Sequence, residues 1–176
     1  MVNFKKIFFV FILFFLAFSI KSYAEIVNKV EVKGNERITL ETIVIFGDIT
    51  IGKNYESSDI TLLIKKLYET NFFSNISIEL QDGRLNIIVK ENPIINSLVL
   101  KGEKAEKYKT TITEKLILRE KTSFLENYIK SDINLIKTFY RQLGFYFVKI
   151  DLDVEKLKRN RVNLIYSIDK GEKAKI

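Results

Sequence analysis

Apolar and polar positions along this chain fall twice into the same order. From Asp59 to Leu80 (DITLLIKKLYETNFFSNISIEL), Ile60, Leu63 and Leu67 recur at helical spacing, and Asn71 stands at a stop position. Ile76, Ile78 and Leu80 then alternate with Ser77 and Glu79, the period of a strand with one buried face. From Asp132 to Leu152 (DINLIKTFYRQLGFYFVKIDL) the order repeats: Ile133, Ile136, Tyr140 and Leu143 form the helical face and Gly144 the stop. Val148, Ile150, Leu152 and Val154 then alternate with Lys149, Asp151, Asp153 and Glu155. Helices commonly end on a left-handed residue, a shape that glycine and asparagine adopt at least cost.

The flanking segments repeat as well. VNKVEVKG at 27–34 is answered by INSLVLKG at 95–102, an offset of 95 − 27 = 68. The spacing predicts a first strand in which Ile26, Val30 and Val32 share one parity, ended by Gly34. A short helix capped by Thr39 and carrying Leu40, Ile43 and Val44 follows, with Glu41 well placed in its first turn. A second helix, capped by Ser57 or Ser58, runs to about Thr70; strand Ser74–Leu80, an Asp82-Gly83 hairpin turn and a return strand through Leu85, Ile87 and Val89 complete the unit. Asn92-Pro93 marks the boundary, because proline lacks an N–H and disfavours helix before it. The second unit then has a strand from Ile94 and a helix over roughly Lys107–Leu118. A second helix opens at Ser123-Phe124-Leu125-Glu126, and a hairpin turns at Lys156–Asn160 into Val162, Leu164, Tyr166 and Ile168. A period of about 70 residues is a tandem array of small β-α-α-β-β domains.

Such a unit packs two helices on one face of a three-stranded mixed sheet. Its last strand runs parallel to its first and lies beside it in a right-handed crossover. The leading strand of each hairpin is thereby left at the sheet edge with unpaired N–H and C=O groups. An extended peptide can add there by main-chain bonds, with side-chain identity mattering little. The predicted edges are Ser74, Asn75, Ile76, Ser77, Ile78 and Glu79 in the first unit. In the second they are Phe147, Val148, Lys149, Ile150, Asp151 and Leu152.

Composition changes this picture at the N terminus. Lys5 and Lys6 precede the apolar run IFFVFILFFLAFSI, and Ser22-Tyr23-Ala24 gives a small-x-small pattern, so residues 1–24 read as a signal peptide cut between Ala24 and Glu25. A retained anchor is the competing reading, but the run is shorter than the roughly 20 apolar residues of a span. Removing the leader takes Lys5, Lys6 and Lys21 from a net charge of +7 and leaves 7 − 3 = +4, too mild and too interleaved for nucleic acid. An exported chain without cysteine does not rely on disulfides, which suits export from a bacterial cytoplasm.

Candidate chemistry is sparse. Without His or Cys, the usual zinc sites, the Ser-His-Asp triad and thiol catalysis are closed, and no Gly-rich phosphate loop is present. Asp151 and Asp153 point to one face of a strand and read as solvated positions rather than a catalytic pair. No catalytic residue, cofactor or metal is therefore assigned, and the chain reads as a non-enzyme. Phe72-Phe73 and Phe145-Tyr146-Phe147 read mostly as core aromatics, with Phe147 facing away by parity. Lys156, Lys158, Arg159 and Arg161 read as a solvated basic hairpin tip, with anionic headgroups as the rival partner.

The residues VEVKGNERI at 30–38, KLYETNFFSNISI at 66–78, Phe139-Tyr140 through Gly144-Phe145-Tyr146, and RVNLIYSIDKGEKAKI at 161–176 resemble POTRA (polypeptide-transport-associated) domains. They are most similar to the first two such domains of the BamA-type outer-membrane protein assembly factors. Asn71 stands where that family usually has glycine. The resemblance implies an α+β chain: POTRA 1 at 25–92, POTRA 2 at 93–171, and the start of a further, truncated POTRA at 172–176. It also implies a place at the periplasmic face of the bacterial outer membrane, ahead of a C-terminal transmembrane β-barrel. The implied partners are unfolded outer-membrane proteins, assembly-machinery lipoproteins and, through that barrel, the membrane. A POTRA pair of a two-partner secretion or translocation transporter is the alternative; such proteins usually carry an extra helix or Pro-rich segment before the first domain. A division-type protein with one POTRA on a retained anchor fits less well, given the repeat.

Overall fold

A computed structural model describes residues 24–174. All of the leader read at 1–24 except Ala24, and the last two residues, lie outside the described residues. The first unit contains β1 (Glu25–Ile26), β2 (Lys29–Lys33), α1 (Leu40–Gly47), β3 (Asn54–Tyr55), α2 (Ser57–Glu69), β4 (Phe73–Gln81) and β5 (Arg84–Glu91). The second contains β6 (Ile94–Lys101), α3 (Glu106–Lys115), a 3-10 turn (Glu126–Tyr128), α4 (Ile129–Gln142), β7 (Lys149–Leu157) and β8 (Arg161–Asp169). Each unit has one three-stranded sheet, ordered β2-β5-β4 and β6-β8-β7, with the outer pair parallel on one side and antiparallel on the other.

Local chemistry explains most boundaries. Thr39 caps α1, its hydroxyl accepting the Thr42 N–H at 3.3 Å. Asn71 (φ 60°) and Gly144 (φ 91°) both take the left-handed shape that ends α2 and α4. Asp82 (φ 50°) and Gly83 (φ 72°) give the two consecutive positive φ angles that a tight hairpin between twisted strands requires. Gly34 and Gly102 close β2 and β6. A Cβ on them would lie inside the carbonyl oxygens of Val89 and Ile168, so only glycine lets those backbones meet.

Five expectations are corrected. Ile26 does not share the core parity of Val30 and Val32. The chain leaves β1, a ribbon with β3, and turns at Val27–Asn28, where Gly83 O accepts from both Asn28 and Lys29; Val27 is buried instead and Ile26 exposed. Helix α2 is capped from Glu56, whose N–H donates to Asp59 at 3.0 Å, and Ser57 and Ser58 sit inside its first turn. Ser123 opens no helix: it bridges Ile94 as an extra strand residue, and α4 starts at Ile129. Helix α3 stops at Lys115 because the Asp132 carboxylate takes the N–H groups of Ile117 and Leu118, each at 2.9 Å. Phe147 and Val148 precede β7 rather than belonging to it.

Each unit has its own core. Val27, Ile43, Leu63, Leu67, Leu85 and Ile87 anchor one, and Ile95, Ile112, Ile136, Tyr140, Leu164 and Tyr166 the other. Both helices of a unit cover the same face of its sheet, and the other face stays open.

Candidate functional site: two sheet edges and a joint

The direction of each outer strand's hydrogen-bonding groups follows from the central strand. The Val89 and Ile168 carbonyls point at Gly34 and Gly102, toward the first strand. Their neighbours in β5 and β8 therefore point at β4 and β7, since successive peptide groups alternate sides. Ser77 and Glu79, paired with Ile88 and Asn86, spend their groups inside the sheet, as do Lys149, Asp151 and Asp153, paired with Asp169, Ser167 and Ile165. The outward row is Ile76, Ile78 and Leu80 on β4, and Ile150, Leu152 and Val154 on β7. Of the twelve edge residues read from the sequence, Ile76, Ile78, Ile150 and Leu152 thus carry free-pointing groups. Ser74 and Asn75 lie at a register shift where β4 begins, with the Ser74 hydroxyl on Lys90 O at 3.1 Å.

The two edges are not alike. On β4, the Ile76 N–H donates to the Tyr68 hydroxyl at 3.1 Å, so α2 reaches over and occupies one outward group. Among the described residues no such bond meets β7. The opposite edge of the second sheet is also covered: β6 bonds to the 119–123 loop through Ile95 N–H to Thr122 O (2.9 Å), Lys121 N–H to Ile95 O (2.8 Å) and Leu98 N–H to Glu120 (3.0 Å). Of the two hairpin-leading strands, β7 keeps its whole outward row without a partner among the described residues, and β4 all of it but the Ile76 N–H. Asp151 and Asp153 are exposed on the open face beside it. Phe147 (82% exposed) and Tyr146 (58% exposed) stand at its start, so Tyr146 is not the core residue it was expected to be.

The basic hairpin tip does not simply face solvent. Its Asn160 side chain donates to Glu91 O at 3.1 Å, and its carbonyl accepts the Ile94 N–H at 3.0 Å. Arg161 reaches Asn96 Oδ1 at 3.1 Å. From the first unit, Asn92 bonds back to Phe72 O (2.7 Å) and Asn71 O (3.0 Å), and Arg37 donates to Asn92 O (3.0 Å). The joint at Asn92-Pro93 is stitched from both sides. It borders a cleft of about 880 Å3 whose lining includes Tyr68, Phe73, Phe124 and Leu157.

Each unit buries one carboxylate where the loop after its first strand crosses the end of the central strand. Glu91 Oε1 accepts the N–H groups of Glu36, Arg37 and Ile38 at 2.8 to 2.9 Å. The Arg37 guanidinium lies 3.1 Å from Oε2, a charge contact without hydrogen-bond alignment. Burial pushes the Glu91 carboxyl up, but those N–H groups and the Arg37 charge outweigh it and hold it below the usual range. In the second unit the carboxylate is Glu103, which accepts from Lys104 and Ala105 N–H (2.8 Å each), the Tyr140 hydroxyl (2.6 Å) and Lys170 (2.8 Å). Burial raises it, yet Lys170, Tyr140 and the Ala105 N–H bring it down to about 2. Burial, with the Glu103 carboxylate beside it, drives the Tyr140 hydroxyl well above the usual phenol range. Burial also raises Tyr166, with Asp132 adding to it.

Sequence reasoning missed Tyr68, Glu91, Glu103 and Asp132. Two carried a signal: Glu91 shares the inward parity of Leu85, Ile87 and Val89, and Asp132 stands at helical spacing from Ile136 and Tyr140.

Comparisons with known proteins fit this architecture. The POTRA family model, described as a surface antigen variable number repeat, matches residues 93–171. The chain is 30% identical over 153 residues to outer membrane protein assembly factor BamA of Neisseria meningitidis serogroup B, covering 85% of this chain and 19% of that protein. It is 23% identical over 150 residues to BamA of Neorickettsia risticii, covering 85% and 20%. The chain thus spans about a fifth of the length of these relatives. The N-terminal domain of Omp85 from Thermosynechococcus elongatus has the same fold, with a TM-score of 0.55 at 14% identity, covering 86% of this chain and 65% of that one.

Proposed function

We propose that the chain, whose residues 93–171 match the POTRA family model, is built of POTRA domains of the BamA type and is a periplasmic binding scaffold in the assembly of outer-membrane β-barrel proteins. Residues 25–92 and 93–171 are its two modules. They capture nascent outer-membrane proteins by strand addition and dock the lipoproteins of the assembly machinery, while a C-terminal barrel of the longer protein holds them at the membrane. The cleaved leader, ending at Ala24, delivers them to the periplasm.

The supporting observation is the outward row of β7. Ile150, Leu152 and Val154 offer three N–H and three C=O groups with no partner among the described residues. Six main-chain bonds at a net of about 1 kcal/mol each stand against an association cost of about 4 kcal/mol or more. The complex is therefore weak and readily reversed, as suits a scaffold that hands its client on. Main-chain bonds read no sequence, so many β-rich clients fit one edge.

The test separates an outward N–H from its side chain. Leu152→Pro removes the donor at an edge position where proline is tolerated, and Leu152→Ala removes the side chain but keeps the donor. A fluorescent synthetic peptide copying one strand of an outer-membrane β-barrel is titrated against each, after circular dichroism shows both folded. The expected result is a loss of about tenfold or more for Leu152→Pro and near-unchanged affinity for Leu152→Ala. Equal affinity for both variants and the parent would remove β7 as the site.

A further inference from the structure

We propose that Tyr68 is a latch that keeps the β4 edge closed to a guest strand, so that β7 is the constitutive acceptor and β4 a conditional one. The inference rests on the strand-addition reading and assigns different roles to the two edges.

The β4 outward row begins at Ile76, and its N–H is the first group a guest strand entering from the cleft end would meet. That N–H already donates to the Tyr68 hydroxyl at 3.1 Å. The latch is local: Tyr68 lies in the last turn of α2, and only the three residues Thr70 to Phe72 and the C-terminal Glu69 separate it from β4. The tyrosine is 40% exposed, so its ring can swing aside without emptying a core. A guest must displace the hydroxyl, and the half-exposed ring moves aside with it.

The repeat supplies the control. Helix positions in the two units are related by 136 − 63 = 73, as Leu63 and Ile136 are the matching buried residues, so Tyr68 corresponds to Arg141. Strand positions are related by 150 − 76 = 74, because Ile76 and Ile150 pair with Val89 and Ile168. Among the described residues Arg141 makes no bond to Ile150, although the backbone around it matches that of Tyr68, with Gly144 N–H on Arg141 O and Asn71 N–H on Tyr68 O, each at 3.0 Å. The same fold thus carries a tyrosine on one edge and leaves the other uncovered. An edge strand left bare is an association hazard, and covering it is one way proteins manage it.

The experiment uses the whole chain and its Tyr68→Phe variant, which loses only the hydroxyl. Amide hydrogen exchange is read first without any peptide. Loss of one neutral hydrogen bond speeds Ile76 exchange by about two- to tenfold, with Ile150 unchanged. A spin-labelled synthetic peptide of alternating Val and Thr is then added, and broadening is mapped on both edges. In the parent chain, β7 amides broaden and β4 amides do not; in Tyr68→Phe both edges broaden. Equal broadening of β4 and β7 in the parent overturns the latch but leaves strand addition standing. So does a Tyr68→Phe variant that matches the parent in exchange and in broadening. Broadening at neither edge, in either protein, overturns strand addition and the latch with it.

Discussion

Replacing Glu103 by glutamine tests the buried charge corner of the second unit. The parent carboxyl sits at about 2 against an ordinary 4.5. At 1.36 kcal/mol per tenfold change in proton affinity this is worth about 3 kcal/mol. Its folded-state value is depressed, so the stability is fully present above about pH 4.5 and drains away as pH falls toward 2. Glutamine keeps an acceptor for the Lys104 and Ala105 N–H groups but meets Lys170 with no charge. The Lys170 side chain is 28% exposed and can rehydrate in part, so the loss at pH 7 is about 2–3 kcal/mol. Carboxyls held low in the first unit, at Glu31, Glu41, Asp48, Asp59 and Glu91, complicate a whole-chain denaturation curve. Amide exchange isolates the corner. Leu164 and Tyr166 report the second core, and Leu85 and Ile87 the first. In Glu103→Gln at pH 7, Leu164 and Tyr166 lose about a hundredfold in protection and Leu85 and Ile87 do not change. Between pH 5 and 3 the parent's β8 protection falls while the variant's stays level, after correction for intrinsic exchange. A variant as protected as the parent at pH 7, or one that keeps the parent's pH slope, refutes the assignment.

The remaining predictions use the same physics elsewhere. Gly34→Ala and Gly102→Ala each drive a Cβ into a carbonyl at positive φ, so each costs about 2–4 kcal/mol in urea denaturation. Asp132→Ala strands the Ile117 and Leu118 N–H groups and costs about 2–4 kcal/mol, read by the same denaturation. Asn92→Ala keeps both folds but removes the bond to Asn71 O, and residual dipolar couplings measured on the two units then fit one common alignment less well than in the parent. Mass spectrometry of the chain exported from a bacterial host gives Glu25 as its first residue; a mass that includes residues 1–24 contradicts the leader.

Much of this architecture was legible because backbone demands leave residue signatures. The two helix stops needed a left-handed residue and show Asn71 and Gly144; the first hairpin needed two positive φ angles and shows Asp82-Gly83. The strand order followed from counting directions along the chain. What escaped was chemistry that joins distant segments. Ser123 looks like a cap because the local pattern allows it, and only the approach of Ile94 makes it a strand bridge. Val27 replaces Ile26 inside because Gly83, more than fifty residues on, accepts bonds that break the strand. Lys149 and Asp151 were read as edge residues together with Ile150 and Leu152, because alternation shows which side chains are exposed and not which N–H groups point outward. Side-chain exposure and outward N–H direction are different properties, and only the sheet register separates them. The Tyr68 hydroxyl has no pattern at all: a tyrosine near a helix end reads as ordinary amphipathic surface.

The bonds of the joint end close to both edges. A one-residue slip of β7 on β8 would turn Ile150, Leu152 and Val154 to the opposite face and shift the hairpin tip by about 3.3 Å. That shift exceeds what Asn160 can absorb while holding both Glu91 O and Ile94 N–H. The nine ladder pairs with β8 fix the register of β7, and the bonds of Asn160 oppose a slip as well. On its other side the stitching at Asn92-Pro93 ends on Asn71 O and Phe72 O. Those two residues lie between Tyr68 and β4, so they set how far the latch stands from the strand it covers. On the proposed reading the acceptor edge and the latched edge both end within a few residues of this joint, though they lie on separate sheets.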